Sequence, residues 1–188
     1  MSHEMIFVLL AVVVIVVVMY NSLISKKNEI DNAVGGVHTY LKKRADLIPN
    51  LVETVKQYAA HESKLLTELT EARTAVQKGL SDEGEMQAND SMMSKMLGRV
   101  VAVAESYPDL KANQNFLSLQ ASLNEIEGQL SAARRTYNAA VVRYNTAIES
   151  IPTNIIASMM GYRRKPVFQV SEAEAVRPDI GKLFGNVG

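Results

Sequence analysis

The apolar positions of this chain follow two regimes. From Met5 to Met19 no polar residue occurs at all; beyond it, apolar residues return in alternating steps of three and four. A helix rises about 1.5 Å per residue, so the unbroken run spans roughly 23 Å, short of the roughly 30 Å hydrocarbon core of a bilayer. Continuing through Tyr20, Asn21, Ser22 and Leu23 to Ile24 brings it to about 20 residues, which suffices to cross. A cleaved signal peptide is the competing reading, yet no Lys or Arg precedes the run and Tyr20-Asn21-Ser22 does not resemble a small-residue cleavage site. A buried core helix is disfavoured because residues 12–18 are apolar on every face. The sequence therefore predicts a transmembrane anchor over residues 1–24. Lys26, Lys27, Lys42, Lys43 and Arg44 all follow it. Positive charge resists translocation, so the expectation is a single-pass protein with its amino terminus outside and its body cytoplasmic, at the inner membrane if the chain is bacterial.

From Tyr20 the stripe reads Leu23, Lys27, Ile30, Val34, Val37, Leu41, Arg44, Ile48, Leu51, Val55, Tyr58, Glu62, Leu65, Leu69, Ala72 and Val76. Such a heptad seam is the signature of coiled-coil-like packing against a partner helix. Gly35-Gly36 lowers helix propensity and Pro49 removes a backbone hydrogen bond, but the stripe keeps its phase across Pro49. That favours one kinked helix, running from the membrane to Lys78-Gly79, over a reversal at the proline. A second helix is predicted over residues 85–106, with Met86, Met93, Met96, Val100 and Val103 on one face and Asn89 interrupting it. Pro108 and Asp109 mark a new start. A third helix carries Ala112, Phe116, Leu119, Leu123, Ile126, Leu130, Ala133, Tyr137, Ala140, Tyr144 and Ala147 in the same spacing until Pro152.

No stretch alternates with period two, so the predicted fold is all-α: an N-terminal transmembrane helix continuing into an antiparallel up-and-down bundle of three to four long helices over residues 25–168. Residues 169–188, rich in polar residues and without periodicity, read as a flexible tail. Within it Ile180, Leu183 and Phe184 form a short docking motif at most.

Charge and chemistry narrow the function. Lys plus Arg and Asp plus Glu each number 20, and aromatic residues make up 6%, which argues against nucleic-acid binding. There is no cysteine, hence no thiol nucleophile, and no phosphate-cradling glycine loop or nucleophile-elbow motif. His61-Glu62 begins like a zinc-protease helix, but the second histidine of that motif would fall at Leu65. On one continuous helix His38 and His61 would stand roughly 34 Å apart, too far to share a metal. No cofactor and no metal is expected.

Arg44 and Glu62 occupy seam positions that should be apolar. A buried charge must be paired or reach water, which makes Arg134, Arg135, Glu125 and Glu127 the candidate partners; snorkelling to the bundle edge is the bland alternative. Tyr137-Asn138 recurs seven residues later as Tyr144-Asn145. Core tyrosines with hydroxyls at the rim explain it more simply than a polar ladder for a partner helix. Ile155, Ile156, Met159 and Met160 precede Arg163, Arg164 and Lys165, a pattern that fits either an anionic lipid surface or a helix capping the bundle.

Several blocks in fixed order resemble the LemA family of bacterial membrane proteins: Lys43-Arg44-Ala45-Asp46-Leu47-Ile48-Pro49-Asn50-Leu51-Val52, Tyr58-Ala59-Ala60-His61-Glu62, Tyr107-Pro108-Asp109-Leu110-Lys111-Ala112-Asn113, and Arg134-Arg135 followed by Tyr137-Asn138 and Tyr144-Asn145. The resemblance runs from the anchor to about Phe168, with the tail outside it. Lys43 stands where the family often has an arginine. The resemblance implies a single anchor with an external amino terminus, a cytoplasmic helical body, no enzymatic activity and no cofactor, and it leans toward organising membranes. The expected function is a membrane-anchored helical scaffold of the cell envelope, with lipid, further copies of the chain and another membrane protein as partners. The alternative is a signalling adaptor that couples the membrane to a cytoplasmic partner.

Overall fold

A computed structural model of the chain describes residues 3–79 and 83–168, and all their regular structure is helical. Helix α1 (His3–Tyr58) is followed by α2 (Ser63–Lys78), α3 (Glu83–Ala104), the single turn α4 (Pro108–Lys111), the long α5 (Gln114–Glu149) and the short α6 (Thr153–Met159).

Helix α1 is continuous through Pro49, as the unbroken phase of the stripe predicts, and Pro49 lies on its exposed face. It does not reach Lys78, however. The chain turns back over residues 59–62 and returns as α2, so the single long first helix expected from the stripe is two helices. The reason the pattern hid this is geometric. A four-residue turn is close to one helical repeat of 3.6 residues, so a three-four stripe reads straight through it. The turn Ala59-Ala60-His61-Glu62 also holds no glycine or proline to mark it. It closes with Ala59 donating its N–H to Val55 at 2.8 Å and Glu62 donating to Ala59 at 3.0 Å.

Packing follows from the buried faces. Leu23, Ile30, Val37, Leu41, Ile48, Leu51 and Val55 of α1 are buried, and α5 covers most of this stripe. Three cross-links fix the register of that pair: Glu29 with Arg143, Arg44 with Glu127, and Tyr58 with Asn113. As one partner's number rises the other's falls by nearly the same amount, so α5 runs back along α1 without slipping. Helix α2 lies against both α1 and α3. Leu65, Leu69, Ala72 and Val76 join Met86, Met93, Met96 and Val100 in the shared core. The seam that on one straight helix would require an external partner is thus covered within the chain.

Ends are defined by specific groups. Pro108 opens α4. Asn113 caps α5 by accepting the Phe116 N–H at 3.0 Å and donates to the Tyr58 hydroxyl at 2.9 Å, tying the cap to the end of α1. Gly161, at φ 67, closes α6 in the left-handed conformation, and Tyr162 N–H returns to the Ala157 carbonyl at 2.9 Å.

The first third of α1 differs from everything else. Its side chains from Met5 to Val18 are exposed, and the apolar window there is long and apolar enough to cross a membrane by length and composition, with only 6% of it buried. A core helix of a soluble protein would be covered, and nothing within the described residues covers this span.

Candidate functional site

Arg44 is 1% exposed, and the structure explains how a cation survives there. Its guanidinium reaches Asp90 of α3, donates to Glu127 of α5 at 2.7 Å, to the Ser94 hydroxyl at 3.0 Å and to the Asp90 backbone carbonyl at 3.2 Å. Arg134 pairs with the same two acids, meeting Asp90 directly and Glu127 at 3.1 Å. Two cations and two anions therefore close a neutral ring between α1, α3 and α5. Burying one of these ions alone would cost several kcal/mol, an expense that pairing and charge-assisted hydrogen bonds offset.

Of the four candidate partners for Arg44 and Glu62, Glu127 pairs with Arg44 and Arg134 joins the same ring rather than meeting Glu62. Among the described residues Arg135 bonds Ser131 at 3.1 Å and Glu125 accepts from Gln129 at 3.2 Å, both on the exposed side of α5. Asp90 went unforeseen. Its signal was present, because the face of α3 runs Met86, Asp90, Met93, Leu97, Val100 in four-three steps, which puts the acid, and not Asn89, on the buried seam.

Glu62 corrects the other expectation. It is not a seam charge but a half-buried residue at the reversal, immediately before α2, where a carboxylate meets the positive end of a helix dipole. His61 is exposed on the same turn and His38 is half-buried on α1. Burial holds the His38 imidazole below its usual value of 6.5. No group of three His, Asp or Glu side chains among the described residues is placed to hold a metal. Asp46 and Asn50 lie on the exposed face of α1.

The repeated Tyr-Asn pairs hold this chain's own backbone. Asn145 accepts the Lys165 N–H at 3.0 Å and donates to its carbonyl at 2.9 Å, while Asn138 does the same to Phe168 at 2.8 and 3.0 Å. The Tyr137 hydroxyl donates to the Pro166 carbonyl at 3.1 Å, and its ring meets Phe168 edge-on at 5.0 Å. Tyr144 packs on Tyr162 with ring centroids 5.9 Å apart, and its hydroxyl pKa is raised by burial first and by Tyr162 second. The tyrosines are buried as expected, but the asparagines form a ladder whose rungs are occupied by an intramolecular strap, residues 162–168.

Beside the charge ring the helices leave a half-open cleft of about 550 Å³ between α3 and α5. Leu51, Val100, Val101, Phe116, Leu123 and Phe168 give it apolar walls, and Arg44, Asp90, Glu127 and Arg134 close one side. Among the described residues lining it, the Ser94 hydroxyl accepts from Arg44. The arrangement suits recognition of an apolar side chain or segment more than chemistry.

An all-helical body entered by a helix that carries an uncovered apolar span defines a membrane-associated helical protein. The LemA family pattern matches residues 33–181, and the chain belongs to the LemA family. The match extends past Phe168, where the residue blocks alone stop, and begins after the apolar span rather than within it. Among its relatives, Protein LemA of Metamycoplasma hominis is 26% identical over 87% of this chain and 74% of its own length. Magnetosome protein MamQ 2 of Paramagnetospirillum magneticum is 26% identical over 82% of this chain and 66% of its own. Magnetosome protein MamQ of Magnetospirillum gryphiswaldense is 22% identical over 88% and 70%. The expectations for residues 169–188, including Ile180, Leu183 and Phe184, lie outside the described residues.

Proposed function

We propose that the protein is a membrane-anchored, non-catalytic scaffold of the bacterial cell envelope. In this reading it crosses the inner membrane once with its amino terminus outside, and its body, an antiparallel helical bundle on the cytoplasmic side, assembles with further copies or with another membrane protein. One observation carries the reading. Helix α1 runs unbroken from the exposed apolar span into a body whose buried charges are spent neutralising one another, so that the helix transmits position and not chemistry.

The cleft, and not the seam, favours association. Since α5 and α3 cover the heptad stripe, no unsatisfied seam calls for a second copy. The half-open cleft does offer an apolar recess, on a chain that an anchor concentrates in two dimensions. The likeness to magnetosome proteins agrees with a role in organising membranes. Single-particle imaging and cross-linking of the detergent-extracted chain, with a cysteine placed at Val101 on the cleft wall, test this. Cross-linked multimers support it, and strictly monomeric particles count against it.

A second reading, an adaptor that hands a membrane event to a cytoplasmic partner, is favoured by one feature. Phe168 lines the cleft, and residues 169–188 continue from it. Removing residues 171–188 separates the two: a scaffold still assembles, whereas an adaptor loses its partner.

A further inference from the structure

Helix α6 is oriented contrary to what core packing would dictate. Ala157 is its one buried residue, at 2% exposure, while Ile155 and Met159 stand 61% and 84% exposed, and Ile151, in the turn just before the helix, is 84% exposed. Ile155 and Met159, one turn apart, form an outward apolar stripe on α6. A helix that capped the body would turn such a stripe inward, so the capping alternative does not account for it.

Position says what the stripe faces. The α1–α5 register set by Glu29 with Arg143 and by Arg44 with Glu127, carried to Glu149 at the end of α5, sets that end level with Ser22 and Leu23, and Ile151 and α6 follow directly after it. That is the level at which the exposed apolar surface of α1 gives way to the packed body. One contact agrees: the Lys27 ammonium lies over the ring of Tyr162, in the segment that follows α6, at 5.9 Å. Arg164 pairs with Glu149 at 3.0 Å, and Arg163 is exposed beside it, so the apolar stripe is flanked by cations.

We propose that α6 and the turn before it form a second membrane contact: Ile155 and Met159, with Ile151 beside them in sequence, insert into the headgroup and acyl boundary of the bilayer that α1 crosses, while Arg163 and Arg164 meet anionic headgroups. A single-pass helix is free to tilt and rotate; a second apolar contact beside its exit fixes both and holds the body in one orientation on the membrane. Apolar burial and attraction to anionic lipid act together at such a boundary. The inference rests on α1 being a membrane span, and the test keeps the two apart.

The chain has no cysteine, so single-cysteine variants carry one fluorophore each. Full-length protein bearing Met159→Cys or Ile155→Cys is reconstituted in phosphatidylcholine vesicles containing phosphatidylglycerol. Val14→Cys reports on the span, and Thr67→Cys, exposed on α2, on solvent. Labels at 159 and 155 are expected to be quenched by brominated lipid several-fold more than the label at 67 and to be shielded from aqueous iodide. If both respond to iodide as the label at 67 does, the inference is overturned. Shielding from iodide without lipid quenching also overturns it, because a protein then covers the stripe. If the label at 14 is itself quenched by iodide, the anchor reading fails first; if 14 lies in lipid and 159 does not, only this inference fails.

Discussion

Asn138 holds Phe168 by both ends of its backbone, accepting the N–H at 2.8 Å and donating to the carbonyl at 3.0 Å. Asn145 holds Lys165 in the same way. Two turns of helix advance about 10.5 Å over seven residues, and three residues of extended chain advance about 10 Å. The heptad spacing of the two asparagines therefore matches a three-residue step of an extended strap running the other way.

That match predicts a local effect. Asn138→Leu leaves the Phe168 N–H and carbonyl to find water, a loss of about 1–3 kcal/mol in holding the strap. Hydrogen exchange should show faster amide exchange confined to residues 165–168, while the amides of α1 and α5 near Arg44 keep their protection. Loss of protection throughout α5 would show that the asparagine serves the core instead.

The charge ring predicts an asymmetric mutational profile. Arg44→Met strips Asp90 and Glu127 of a shared cation in a site that is almost closed to water, and should destabilise the body by about 3–5 kcal/mol. Glu127→Gln should cost about 1 kcal/mol or less, because the Glu127 side chain is 41% exposed and Asp90 remains to pair both arginines. Urea unfolding of the detergent-solubilised chain measures both. Equal effects would mean that Glu127 is as essential to the ring as Arg44.

The same residues show what a sequence exposes and what it conceals. The uncovered apolar span, the continuity of α1 through Pro49 and the burial of Arg44 were legible because each follows from one helix's periodicity. The reversal at residues 59–62 was not, since its length mimics a helical repeat. Glu62 was misplaced for the same reason, and Asp90 was overlooked behind the neighbouring Asn89. The occupant of the asparagine ladder was beyond reach, because pairing a helix face with an extended strap is tertiary information.

Glycines offer a contrast in sign. Gly35 and Gly36 sit within α1, and a Cβ added at either meets nothing within 4 Å. Replacing each by alanine should stabilise the helix by about 0.5–1 kcal/mol. Gly161 also has open space around it, but its φ is 67, so alanine there should cost about 1–2 kcal/mol. Thermal unfolding of the three single variants tests this: a fall in Tm for Gly36→Ala would mean that α1 requires its flexibility at that point.

His38 makes stability depend on pH in a direction fixed by its environment. Burial depresses its pKa below 6.5, so the folded state holds the proton less firmly than the unfolded chain. Stability from this residue is fully present above the unfolded value and declines as pH falls through it toward the depressed folded value; below that the loss is complete and constant. His38→Gln removes the titration. The difference in unfolding free energy between the two proteins should therefore stay flat above neutrality, shift against the histidine protein on acidification through 6.5, and level off again. Carboxylates contribute to acid destabilisation in both proteins and cancel in the difference. A difference that moves the other way would mean that a nearby acid, and not burial, governs His38.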